Sequence, residues 1–431
     1  MPSVSSKDFR VAIVGGGLCG LACAVGLAKR GIHSDVFETA PKFDEVGAGV
    51  GLGPNALRAL KGLGLLDAIL ARTEEAQQTA RRMLYVSGLG AHETVYDYET
   101  SSVFTEADDG IGIYRPAFLD AVMHLLPDTS RTHFNKRCTS ISTTESGTHC
   151  IHFADGTTHE ADLVIGADGI KSVSRSAVEL NPEKRRLQFT NTVAYRGLVP
   201  ITTLRQEGTT TEFDTRLCSF IGIDKHIIAF PIQSGKIVNI VAFVTDFSVP
   251  LGSVEVTGPW VEAVPHQELL DKYDDWGHDV MAMIKHMKSP SKWSIHMLTP
   301  LESFVRGKLA LVGDAAHAMA PHLGAGVGQG FEDVFVLCKL LGHPSTNLSN
   351  LEAVLKAYDA IRQPRANMVL KESYRAGVVY ENFGKPGYST GDQIRGHLTG
   401  IWEPIWRHDL DADVAAAVAS LKEHGFPVVT D

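Results

Sequence analysis

Residues 313–334 read GDAAHAMAPHLGAGVGQGFEDV, with two histidines and five glycines between the hydrophobic runs LALV and VFVLCKLL. Asp314 closes the first run, where a carboxylate can hold a chain of hydroxyl groups. Gly324, Ala325 and Gly326 precede a helix predicted to start near Val327. Such a start turns free N–H groups and a positive dipole end towards an anion. Ala320 and Pro321 are small and apolar, which suits a site that excludes water. His322 stands beside them and can hydrogen-bond a ligand, whereas His317, near Asp314, reads as structural.

A second glycine cluster lies near the start. RVAIV (10–14) runs into GGGLCG, then LACAVGLAKRG and HSDVFE. Gly15, Gly17 and Gly20 form G-x-G-x-x-G inside a strand–turn–helix–strand unit. The first glycine permits the turn, the second lets backbone approach a pyrophosphate, and the third lets helix pack on strand. Glu38 lies 18 residues after Gly20, where a carboxylate can take a ribose hydroxyl. NAD and FAD proteins look alike to this point. A third stretch, ADLVIGADGIKSVSR (161–175), carries Asp168-Gly169 after a strand and reads equally as an Asp-Gly turn before a surface helix.

The elements that position these residues suit a chain of two or three domains. It has 431 residues, 44% hydrophobic and 21% charged, with a formal net charge of −10. That charge argues against a nucleic-acid or anionic-membrane partner. Six scattered cysteines read as reduced thiols, without metal-ligand spacing, of an intracellular, cytoplasmic protein. Val11 to Ala28 is uncharged over 18 residues, but its glycines suit a strand–turn–helix better than a membrane span or signal peptide. TVAYRGLV, TRLCSFIGI, HIIAFPI and KIVNIVAFV read as strands. If HIIAFPI is a strand, His226 and Phe230 share a face. Trp402 and Trp406, four apart in a helical tail, read as packing or a dimer face.

Together the three motifs resemble those of the group A flavin-dependent aromatic hydroxylases. EVGAGVGLGPNALRAL (45–60), IYRPAFLDAV (113–122) and AYRGLVP (194–200) resemble further segments of that family, and the likeness is narrowest to its salicylate-hydroxylating members. The resemblance implies an α/β fold: a Rossmann-like βαβ FAD-binding domain, 1–187 and 294–380, interrupted by a substrate-binding β-sheet, 188–293. A C-terminal helical segment, 381–431, follows. It implies FAD as cofactor, with NADH or NADPH and O2 as transient co-substrates; a second dinucleotide fingerprint is not visible. Gly15, Gly17, Gly20, Glu38, Gly51, Arg115, Asp168, Asp314, Gly326 and Val327 would meet the cofactor. Arg196, Phe230 and His322 would face a small aromatic substrate, with Arg196 suited to a carboxylate or phenolate. The Pro321 carbonyl would lie towards activated oxygen, and His226 is the candidate general base.

The reaction implied is hydroxylation of a phenolic aromatic acid, foremost salicylate to catechol with loss of CO2, by a monomer or homodimer. Phe230 stands where relatives that dearomatise alkylphenols carry a tyrosine, which turns the reading towards salicylate-type chemistry. A hydroxynicotinate, a dihydroxybenzoate or a fungal polyketide phenol is the alternative substrate. A non-catalytic escort on the same scaffold is the alternative from another class; Asp314 and the glycine-rich helix start count against it.

Overall fold

Val11–Val14 and Leu163–Gly166 are each buried along their whole length. Strands with no exposed face belong in the middle of a parallel sheet covered on both sides, and there they sit. A computed structural model of the chain describes residues 7–43, 49–72, 81–98, 108–127, 130–179, 186–423 and 425–426. Residues 45–48 of the EVGAGVGLGPNALRAL stretch, and the C-terminal VVTD, lie outside the described residues.

The six-stranded sheet runs Val305–Arg306, Leu309–Leu311, Leu163–Gly166, Val11–Val14, Ser34–Phe37, Arg131–His133. Its pairs are parallel except the first. Helix Leu18–Ala28 and the 16-residue helix Gly326–Leu341 cover this sheet and supply much of the largest hydrophobic core. The uncharged run from Val11 is thus strand, turn and helix. Among the described residues no helix is long and apolar enough to cross a membrane.

The second large sheet has eight strands, in the order Val261–Ala263, Ser291–Leu298, Leu187–Pro200, Ile237–Thr245, Lys225–Ile232, Arg216–Gly222, Arg81–Ser87, Thr94–Asp97. It therefore takes in residues 81–97, upstream of the 188–293 segment, and extends through Leu298. Sequence distance hides this because Arg81–Ser87 pairs with Arg216–Gly222 in parallel, which needs a long connection. The 30-residue helix Leu351–Tyr380 then leads to the short helices of the tail.

Candidate active site

The glycine-rich turn is built by close approach. Gly15 has φ +105°, and a Cβ on it would lie 2.3 Å from the Ala167 carbonyl oxygen. A Cβ on Gly20 would lie 2.0 Å from the Gly15 carbonyl oxygen, so helix and turn pack backbone to backbone. Gly17, the residue before the helix, has nothing within 4 Å of its missing Cβ, which leaves open space at the helix N-terminus. Glu38 is anchored beside it: its two oxygens accept the Gly16 and Ala40 N–H groups at 2.8 Å each. A carboxylate can accept about four bonds, so capacity for hydroxyl donors remains.

Residues 313–334 meet the second sheet across a cavity of about 390 Å³. Asp314 lines it, exposed, with no hydrogen-bond partner among the described residues. The helix begins one residue earlier than predicted, at Gly326, and has no side-chain cap. Gly326 and Val327 both line the cavity, as do Gly51 and Arg115. Beneath this helix start lies a buried ionic network. Arg362 donates from Nε to Asp333 at 2.9 Å and from Nη1 to Glu332 at 2.7 Å; Arg365 also binds Glu332, and His317 Nε2 meets Asp333 at 2.5 Å. Burial alone would raise the Glu332 carboxyl, but Arg362 and Arg365 hold it down at about 2. Asp333 is likewise held below its ordinary value against burial, by His317 and Arg362. It also accepts the Gly313 N–H at 2.9 Å, which ties the network to the strand end that carries Asp314.

On the facing wall stand Arg196, Phe230 and Phe243 of the eight-stranded sheet. Arg196 is half-buried, and Trp293 lies under its guanidinium at 4.8 Å. It has no salt-bridge or side-chain hydrogen-bond partner among the described residues, and its Nε is a buried donor left open. Burial, then the Arg115 charge, lowers its pKa to about 10, so it stays cationic near neutrality. Pro321 and His322 line the same cavity. Their turn is clamped by Ser373, whose hydroxyl donates to the Ala320 carbonyl at 2.5 Å and accepts the Leu323 N–H at 3.2 Å. His322 is buried, which, with His226 beside it, pushes its pKa down to about 3.

Asp168, like Gly15, Gly17 and Glu38, lies outside the lining of this cavity and sits beside the glycine-rich turn, where a Cβ on Gly15 would fall 2.9 Å from its Cα. Its carboxylate accepts the Ser172 hydroxyl at 2.5 Å and the Val173 and Ser174 N–H groups at 2.8 and 2.9 Å. The short helix Ser174–Val178 needs an acceptor at its start, and Asp168 supplies it. One expectation needs correction. His226 shares a strand face with Phe230 but is fully buried behind the cavity wall, stacked on Phe243 at 4.4 Å. It cannot reach a substrate directly.

Comparison with known proteins decides between the nicotinamide and flavin readings. The family model described as "FAD binding domain" matches residues 8–373. A salicylate hydroxylase of Pseudomonas putida is 38% identical over 431 residues, covering 97% of this chain and 96% of its own. The chain belongs to the FAD-dependent aromatic hydroxylases. A 6-methylsalicylate 1-monooxygenase of Aspergillus terreus (strain NIH 2624 / FGSC A1156) is 31% identical, covering 94% of this chain and 89% of its own. The solved structure titled "Salicylate hydroxylase substrate complex" superposes with a TM-score of 0.83 at 32% identity, over 98% of this chain and all of that one.

The hydroxylase is a flavin-dependent monooxygenase that uses FAD, NAD(P)H and O2. Its residues fit the flavin on structural grounds. The space at Gly17, the anchored Glu38, the open Asp314 carboxylate and the uncapped helix at Gly326 are what a pyrophosphate, a ribose, a polyol and an anionic ring edge require. Sequence reasoning missed several residues of the site. Trp402, Ile405 and Trp406 line the cavity, the two indoles stacked at 4.8 Å, so the tail closes the pocket as it packs. Arg362 and Arg365 were missed too, although a Glu332-Asp333 pair inside an apolar helix was a signal that buried cations must exist.

Proposed function

We propose that this hydroxylase acts on a phenolic aromatic acid, with salicylate as substrate and catechol and CO2 as products. The observation that carries the reading is Arg196, a half-buried guanidinium on the cavity wall with an open donor and no anionic partner among the described residues. A buried cation without an acceptor is costly, and a ligand carboxylate relieves that cost. The apolar faces of Phe230 and Phe243 and the indoles of the tail suit an aromatic ring between them.

When bound, FAD supplies electrons from NADH or NADPH and activates O2 for transfer to the ring. The chain's own residues do the rest. Arg196 holds the carboxylate and orients the ring. His322, neutral at working pH, takes the hydrogen bond of the phenol. The Ala320–Pro321 backbone, fixed by Ser373, keeps that side dry and offers a carbonyl. The helix start at Gly326 and Val327 stabilises negative charge without a titrating group. Oxygen enters at the carbon bearing the carboxylate, so CO2 leaves. Salicylate, O2, NAD(P)H and two protons give catechol, CO2, water and NAD(P)+.

The test is NAD(P)H oxidation by the FAD-loaded enzyme with and without salicylate, with catechol and CO2 assayed. Stimulated oxidation with matching catechol is expected. Stimulated oxidation without catechol would sink the salicylate reading and leave the hydroxylase.

A further inference from the structure

Behind His322 lies a chain of buried polar groups that the chemistry above does not use. His226 Nδ1 is 2.9 Å from Glu381 Oε1, and both side chains are essentially inaccessible to solvent. The other nitrogen of His226, Nε2, is buried without a hydrogen-bond partner among the described residues, and so is Nδ1 of His322. The two rings are 5.1 Å apart between centroids. Two orphaned ring nitrogens on adjacent imidazoles are a rare arrangement, because unmet buried polar atoms are costly. A small ring rotation or one bridging water joins them. The protein makes room for this contact: a Cβ on Gly377 would fall 2.4 Å from the His322 ring, so the long helix has no side chain there.

Resting on the phenolic-acid reading, we propose that Glu381 and His226 are positioning residues of a buried relay that carries the phenol proton from His322 out of the cavity. The phenol O–H bond breaks and its proton goes to the cavity-side nitrogen of His322. His322 releases its inner proton to Nε2 of His226, and His226 passes its Nδ1 proton to Glu381. No electrons move between groups. A phenol and a carboxylate become a phenolate, which is the electron-rich ring that hydroxylation needs, and a carboxylic acid.

The surroundings of Glu381 fit an acceptor. Burial pushes its carboxyl up to about 7, with His322, the Thr245 hydroxyl and Lys385 pulling the other way and Asp224 reinforcing the rise. Tyr374 on the long helix and Tyr273 from a neighbouring helix lie within electrostatic reach of it, and Tyr380 packs edge-on against His226 at 5.3 Å; burial raises the pKa of all three phenols, so they stay neutral. The Glu381 carbonyl accepts the Asp224 N–H at 2.7 Å, and Asp224 pairs with Lys385 at 2.6 Å, both partly exposed. The far end of the relay therefore lies against the surface, away from the cavity.

The experiment uses FAD-loaded wild type, Glu381→Gln, Glu381→Asp and His226→Asn with 5-nitrosalicylate, whose phenolate absorbs in the visible. Ligand affinity, the bound phenolate fraction and kcat with salicylate are followed against pH. In wild type the bound phenolate is expected to rise through a transition near neutrality. Glu381→Gln and His226→Asn should abolish it and lower kcat at least about tenfold, with affinity at high pH unchanged. Glu381→Asp should restore it in part. Persistence of the transition in Glu381→Gln and His226→Asn, or a fall in affinity and kcat with the transition intact, would overturn the relay. If Glu381→Gln loses its flavin, His226→Asn decides alone. Failure of 5-nitrosalicylate to bind wild type would overturn the substrate reading itself, and the relay with it.

Discussion

The helix start at Gly326 and the sheet wall at Arg196 border one cavity, yet they treat charge in opposite ways. Under the helix, Glu332, Asp333, Arg362 and His317 are wholly buried and pair their charges with one another, and of the four only His317 leaves a buried atom, Nδ1, open among the described residues. On the sheet wall Arg196 has an open donor, and around the substrate side the buried His226 and the cavity-lining His322 each leave a nitrogen unmet among the described residues. Beneath the flavin platform the buried charges are paired by protein, while on the substrate side a cation is left for a ligand to pair. Preorganisation belongs where the group is held throughout, and open polarity where a molecule enters and leaves at each turnover.

The contrast can be broken at several points. Arg362→Leu strands two buried carboxylates and should destabilise the fold by about 3–5 kcal/mol, with loss of flavin, measured by urea unfolding and flavin content. Gly20→Ala forces a methyl against the Gly15 carbonyl and should cost about 1–3 kcal/mol by the same measurement. Gly17→Ala meets only open space, so unfolding of the flavin-free protein should be unchanged while FAD binding weakens in a fluorescence titration. Trp402→Ala should shift kcat/KM from salicylate towards ring-alkylated salicylates, about tenfold in ratio, as a pocket wall is removed.

The smallest effect is on pH. His226 and His322 are held at about 3 against an ordinary 6.5, so the stability they contribute is full above 6.5 and drains as pH falls towards 3. Glu381, pushed from 4.5 up to about 7, runs the other way: its contribution is present below 4.5 and lost as pH rises through 7. Between those limits two histidines outweigh one carboxylate. The thermal midpoint should therefore drop on acidification from about pH 7 to about pH 5, and His322→Asn should flatten that drop.

Local signals made the cofactor half readable. Gly15, Gly20 and Glu38 are fixed by turn geometry within 24 consecutive residues, and unbroken apolar runs marked the central strands. The helix start at Gly326 was legible because small residues announce a close approach. What stayed hidden depends on long-range packing. His226 reads as pocket-facing from strand alternation, but depth along the strand decides whether it meets ligand or Phe243. Glu381 lies 155 residues from His226, and nothing local in either segment links them. The Asp168 carboxylate caps a short helix, a use that an Asp-Gly turn in the sequence does not distinguish from ligand binding. Trp402 and Trp406 showed helical spacing, which says packing but not what the packed face encloses.

The division of labour rests most directly on Arg196. Salicylate titrated into the oxidised holoenzyme, wild type and Arg196→Ala, with bound FAD counted in each, separates the two walls of the cavity. Arg196→Ala should keep a full complement of FAD and bind salicylate about ten- to a hundredfold more weakly, the loss of one charge-assisted contact. Flavin loss in that variant, or salicylate affinity equal to wild type, would contradict the account.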